Sequence, residues 1–134
     1  MKDHFTVSIY TPTEKYLQTE ANYLSVTSGV SVLGILPNHA PLITNIEICE
    51  LVIQSGNETL RYAISGGLMN IKENTEIILL VNSIERSDEI DVDRALKAKE
   101  RAEKRLDEEM VDVTRAKASL ARALNRIAVS TNKK

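Results

Sequence analysis

Arg115, Arg122 and Arg126 are spaced so that a helix brings them within about 40° of one another, at 100° per residue. Further back, Arg94, Arg101 and Arg105 repeat the arrangement, while Glu100, Glu103 and Asp107 fall on the other side of the same helix. A guanidinium meets carboxylate or phosphate through a planar fork of donors, so two such rows can hold an acidic partner protein or a nucleotide's phosphates. Basic rows also occur as plain solvated faces, and both readings stay open at this level. Nucleic acid is disfavoured as a partner, because residues 87–134 contain no Phe, Tyr, Trp or His on which a base could stack.

Covalent and metal chemistry find no constellation. There is no G-x-x-x-x-G-K-[ST] loop to cradle a triphosphate, and Gly66-Gly67 reads as a tight turn. His4, His39 and Cys49 are too few and too scattered for a typical zinc site. Cys49 lies in an apolar run and reads as a buried filler. His39, within Pro37-Asn38-His39-Ala40-Pro41, has no Ser or Cys partner and reads as a loop brace. We therefore expect no catalytic residues, no metal and no catalytic cofactor, and no enzyme acting alone.

What positions these side chains is a chain of 134 residues, 43% hydrophobic and 27% charged, enough for one modest core and too apolar for a disordered polymer. The longest continuous apolar run, residues 77–81, is far short of the roughly 20 residues that cross a bilayer. The opening Met1-Lys2-Asp3-His4 has neither secretory nor transit character, and the single Cys allows no internal disulfide, so a cytosolic protein is expected.

The first part of the chain alternates apolar and polar residues in short runs: Phe5/Val7/Ile9, Leu24/Val26, Val30/Val32, Ile46/Ile48 through Leu51/Ile53, Leu60/Tyr62/Ile64 and Ile77/Leu79/Val81. Breaks at Thr11-Pro12-Thr13, Ser28-Gly29, Pro37-Asn38, Ser55-Gly56-Asn57, Gly66-Gly67 and Glu73-Asn74 separate them. Short strands with frequent turns and no intervening helix predict an antiparallel sandwich or barrel.

The code changes near Ser87-Asp88-Glu89. Residues 1–86 hold nine acidic and five basic residues, net −4, whereas residues 87–134 hold ten and twelve, net +2, and are rich in helix formers. Ala95, Ala98, Ala102 and Leu106 form one apolar helical face; Val113, Ala116, Leu120, Ala123, Leu124 and Ile127 form another. The stretch from Asp107 to Asp112 breaks the register between them, which predicts two antiparallel helices in an αα-hairpin, the first capped near Asp91 or Asp93. Alanine faces bury little area, so this hairpin is expected to be weakly held and able to exchange contacts.

The run Gly34-Ile35-Leu36-Pro37-Asn38-His39-Ala40-Pro41-Leu42 resembles the signature loop of the epsilon subunits of F-type ATP synthases. Ser65-Gly66-Gly67-Leu68-Met69, then Asn74 and the run 77–81, is similar to the family's last sheet hairpin, and Ile90-Asp91 to the opening of its C-terminal helices. Val32-Leu33 stand where the family commonly has Gly-Glu, and Asn38 replaces a frequent Gly. The resemblance spans essentially the whole chain. It implies a β + α fold: an antiparallel β-sandwich over residues 1–86, followed by an αα-hairpin over residues 87–134.

It also implies a non-catalytic subunit of the rotor stalk, peripheral to the cytoplasmic face of a bacterial cell membrane. In the family the sandwich docks on the gamma subunit and the c-ring, coupling proton flow to the catalytic head. The hairpin alternates between a folded-down form and an extended form that reaches the alpha and beta subunits and inhibits ATP hydrolysis. Arg115, Arg122 and Arg126 would then meet an acidic segment of the beta subunit. Ile90-Asp91-Val92-Asp93-Arg94-Ala95 matches the I/L-D-x-x-R-A motif of family members that bind ATP as a regulatory ligand. Carried over residue by residue, the nucleotide contacts fall on Glu85, Asp91, Arg94, Arg101, Arg122 and Arg126, joining both basic rows around one anion. A stand-alone ATP-sensing module is the alternative.

Overall fold

The computed structural model describes residues 3–73, 76–106 and 112–131. Eight strands come first: β1 (Phe5–Tyr10), β2 (Lys15–Ala21), β3 (Tyr23–Ser28), β4 (Ser31–Ile35), β5 (Leu42–Ser55), β6 (Glu58–Lys72), β7 (Glu76–Val81) and β8 (Ile84–Arg86). They pair in the order β2-β1-β7-β6-β5-β3-β4, with β8 also on β6, and close as a β-sandwich around one core. A short 3-10 turn, Ser87–Glu89, leads into helices α1 (Val92–Leu106) and α2 (Val113–Ser130). This is the sandwich followed by a helical hairpin that the two periodicities require.

The alternating residues are the core. Phe5, Val7, Ile9, Leu24, Val26, Leu51, Ile53, Leu79 and Met69 are almost wholly buried. Cys49 is buried among them and accepts a hydrogen bond from the Thr27 amide at 3.4 Å, and burial pushes its thiol pKa up, as a filler requires.

Several expectations are corrected. One ladder is parallel, β1 on β7, among otherwise antiparallel pairings. Strands β2 and β8 were not anticipated: Tyr16 and Leu17 adjoin rather than alternate, and β8 is three residues long. Val30 and Val32 do not face the core; Val30 is at the tip of the β3–β4 hairpin beside Gly29, both valines are exposed, and Ile35 is the buried residue of β4. Gly66-Gly67 is no turn. Strand β6 runs through it, leaving β8 at Ile64 and taking up β7 at Gly67, with φ of +99° and +155° at the two glycines. A Cβ on Gly67 would lie 1.9 Å from the Leu80 carbonyl oxygen, so only glycine lets β6 cross there.

In the signature loop, Asn38 has φ +67°, the left-handed region that asparagine tolerates best after glycine. His39 is exposed, and its ring Nδ1 lies 2.7 Å from the adjacent Ala40 carbonyl oxygen. Pro37 and Pro41 flank it, and Gly34 lies against the Tyr23 ring.

Helix α1 starts where the aspartate places it: the Asp91 carboxylate accepts from the Arg94 amide at 3.1 Å. Asp112 caps α2 in the same way, accepting from the Arg115 amide at 3.2 Å. Asn74 and residues 107–111, on which the expected last turn and the helical break fall, lie outside the described residues. The helices meet through alanines, with Ala95 and Ala102 of α1 and Ala116 and Ala123 of α2 buried, while Val113 and Leu124 of the expected apolar face are exposed. Helix α2 packs against both α1 and strands β5 and β6, so its buried surface comes from two faces rather than one stripe.

Candidate functional site

Where α2 lies on the sandwich, polar side chains make the join. The Asn125 side-chain amide donates to the carbonyl oxygens of Cys49 at 2.8 Å and Ile64 at 3.4 Å, residues that face each other across β5 and β6. Arg126 donates through Nε to Glu85 Oε1 at 2.7 Å and through Nη2 to Oε2 at 3.2 Å, a bidentate pair only about one-third exposed. Glu85 is presented by β8, opposite Ala63 of β6. Below these ties Val129 closes on Ala63 and Ile90 in a small buried cluster.

Beside the join opens a cleft of about 490 Å³. Its floor is Ala63, Ile64 and Ser65 of β6, its rim Ser83 to Glu85, and its other wall Ser119, Arg122, Asn125 and Arg126 of α2, with Ala98 of α1. Ser83 and Ser65 share a hydroxyl hydrogen bond of 2.7 Å, and Arg122 Nη2 donates to Ser119 Oγ at 3.1 Å. Among the described residues Arg122 makes no ion pair, whereas Arg126 is matched by Glu85. The cleft therefore offers a cation without a carboxylate beside a neutralised one, together with several hydroxyls. That is an arrangement for binding an anion, and it contains no nucleophile with an adjacent base.

Of the six residues carried over as nucleotide contacts, the fold brings Glu85, Arg122 and Arg126 together. Asp91 caps α1, and Arg94 and Arg101 line a separate shallow groove on α1 with Lys97, Glu100 and Lys104. The two basic rows therefore do not surround one space in this conformation. Arg115 is exposed at the start of α2. The row of Arg115, Arg122 and Arg126 is not a wholly solvated face, since Arg126 is fastened to Glu85 of β8. Gly34, Pro37, His39 and Pro41 belong to the β4–β5 region and share no residue with the cleft. Sequence reasoning missed Asn125, Ser65, Ser83 and Ser119. Asn125 left one signal, an amide inside the apolar register of α2, whereas the serines left none.

Fold and cleft together define a class: a β-sandwich with a helical hairpin laid on it and a cleft at their join. The family model described as "ATP synthase, Delta/Epsilon chain, beta-sandwich domain" matches residues 4–87, and "ATP synthase, Delta/Epsilon chain, long alpha-helix domain" matches residues 88–131. The chain belongs to the ATP synthase epsilon chain family and is a subunit other than the catalytic one. It is 41% identical over 123 residues to the ATP synthase epsilon chain of Desulforamulus reducens, covering 90% of this chain and 92% of the relative. An epsilon chain of Desulfitobacterium hafniense is 40% identical over 133 residues, covering 98% of this chain and all of the relative. Among solved structures, a chain of the Euglena gracilis mitochondrial ATP synthase shares the fold, with a TM-score of 0.82 at 16% identity, over 99% of this chain and 84% of that one. No helix among the described residues is long and apolar enough to cross a membrane.

Proposed function

We propose that this chain is a central-stalk rotor subunit that couples proton translocation to ATP synthesis, and that its hairpin is a mobile inhibitory element read out by ATP. In this reading the sandwich docks on the gamma subunit and the c-ring, and holds the soluble chain at the cytoplasmic face of the membrane. The extended hairpin carries Arg115, Arg122 and Arg126 to the alpha and beta subunits and restrains ATP hydrolysis.

One observation carries the proposal. Among the described residues the hairpin is tied to the sandwich by a small number of polar contacts, Asn125 and the Glu85–Arg126 pair, and those contacts border the cleft that displays Arg122. A nucleotide in the cleft touches both bodies and so favours the folded-down form by its binding free energy, while the extended form gains nothing. Arg94 and Arg101 stand about 40° to 60° around α1 from Ala98, which lines the cleft. A change of rotamer, or a small roll of α1, turns their long side chains toward bound phosphates.

Hydrogen exchange on the purified chain, with and without ATP, tests this reading. ATP is expected to slow exchange throughout α2 by about tenfold or more, and the Arg122→Ala/Arg126→Ala double variant to abolish the effect. Equal exchange in α2 with and without saturating ATP would remove both the sensor and the stand-alone ATP-sensing alternative.

A further inference from the structure

Resting on the reading of the cleft as a nucleotide site, we infer that Ser119 is a phosphate-binding residue that works with Arg122 as a single donor unit. Ser119 lies one turn before Arg122 on α2, is partly buried, and lines the cleft. Its Oγ accepts from Arg122 Nη2 at 3.1 Å, which uses one lone pair of the hydroxyl and leaves its proton. A helical serine commonly spends that proton on the carbonyl four residues back. Here Ser119 donates to no acceptor among the described residues, so the proton is available to a ligand.

The two arginines that α2 brings to the cleft are held by opposite means. Arg126 is held by a carboxylate, which also cancels its charge. Arg122 is held by a neutral hydroxyl, which restrains the guanidinium without cancelling it. The remaining guanidinium protons and the Ser119 proton then face the same space, and a phosphate oxygen can take from both. Ordering the guanidinium beforehand also lowers the rotamer entropy lost when the anion arrives.

The test uses the full chain and titrates ATP against wild type, Ser119→Ala, Ser119→Thr, Arg122→Ala and the Ser119→Ala/Arg122→Ala double variant. Helix content and thermal unfolding are measured alongside. Alanine is the better helix former, so Ser119→Ala is expected to keep or raise helical stability. It is expected to weaken ATP about ten- to a hundredfold, as for loss of a hydrogen bond to a charged group. Ser119→Thr, which keeps the hydroxyl, is expected to bind within about twofold of wild type. The double variant is expected to bind no more than about twofold more weakly than Arg122→Ala, because the two residues act as one. Wild-type binding by Ser119→Ala, no recovery in Ser119→Thr, or single-variant losses that multiply in the double variant would each overturn the inference. If Arg122→Ala is weakened in those cases, the cleft remains a nucleotide site. If wild type binds no ATP, or Arg122→Ala binds as wild type does, both the cleft reading and the Ser119 inference fall.

Discussion

In the sandwich the side chains that leave water are large, Phe5, Ile9, Leu24, Leu51, Ile53 and Leu79 among them; in the helices they are Ala95, Ala102, Ala116, Ala123 and Val129. A fully buried Leu, Ile or Phe contributes about 1.5 to 3 kcal/mol, against about 0.8 kcal/mol for a methyl-sized group. The strands are therefore welded by area, while the helices, among the described residues, depend on small contacts and on three polar residues, Glu85, Asn125 and Arg126. Polar ties contribute little net free energy, about 0.5 to 1.5 kcal/mol for a typical hydrogen bond, since water or another partner replaces them readily. The fold thus joins a body held by large buried side chains to a helical pair held by smaller ones, and the cleft lies at the seam.

Disturbing the sandwich where its backbone is tightest should have the largest effect. Gly67→Ala places a Cβ 1.9 Å from the Leu80 carbonyl oxygen, so β6 and β7 must separate. We expect a loss of about 4 kcal/mol or more in urea unfolding, or no cooperative transition at all. A loss below about 1 kcal/mol would show that the strands give way easily, and would erase the contrast between the two bodies.

Alkaline pH probes the same body more gently. Burial holds the Tyr62 phenol protonated in the folded chain, with its pKa pushed up from 10.0 to about 12. The unfolded chain releases that proton earlier, so the stabilisation is complete below pH 10 and is lost as pH rises toward 12, by about 2 to 3 kcal/mol in all. Tyr62→Phe should remove this component of the pH profile, measured as unfolding free energy at steps between pH 9 and 12. An unchanged slope in the variant would assign the loss to other groups.

The smallest expected effect separates the two bodies. Asn125→Ala removes the donor shared by the Cys49 and Ile64 carbonyls and should lower the opening free energy of α2 by about 1 to 2 kcal/mol. Exchange in β5 and β6 should stay as in wild type. Hydrogen exchange resolved by segment reads both at once, and equal acceleration in sheet and helices would mean that they unfold as one unit.

Much of the architecture was legible in the residues. The period-2 runs marked six of the eight strands, Asp91 marked the start of α1, and the alanine seams marked helices that approach closely. Two strands left no such trace, because β2 has adjacent apolar residues and β8 is too short to carry a period. For the candidate site the legible part was a set of charged side chains, of which Glu85, Arg122 and Arg126 come together at the cleft. Its assembly was not legible.

Repeating patterns are local, since each residue's preference for strand, helix or cap depends on neighbours a few positions away; alternation, capping and the change of code near Ser87 could therefore be read directly from the chain. Closure of the chain decided the rest. Arg126 finds Glu85 41 positions earlier, Asn125 finds Cys49 76 positions earlier, and Ser83 finds Ser65 across the glycine crossing of β6. Such pairings depend on how the sheet bends and where α2 comes to rest, which is set by the summed packing of the whole core and has no counterpart in any short stretch of sequence.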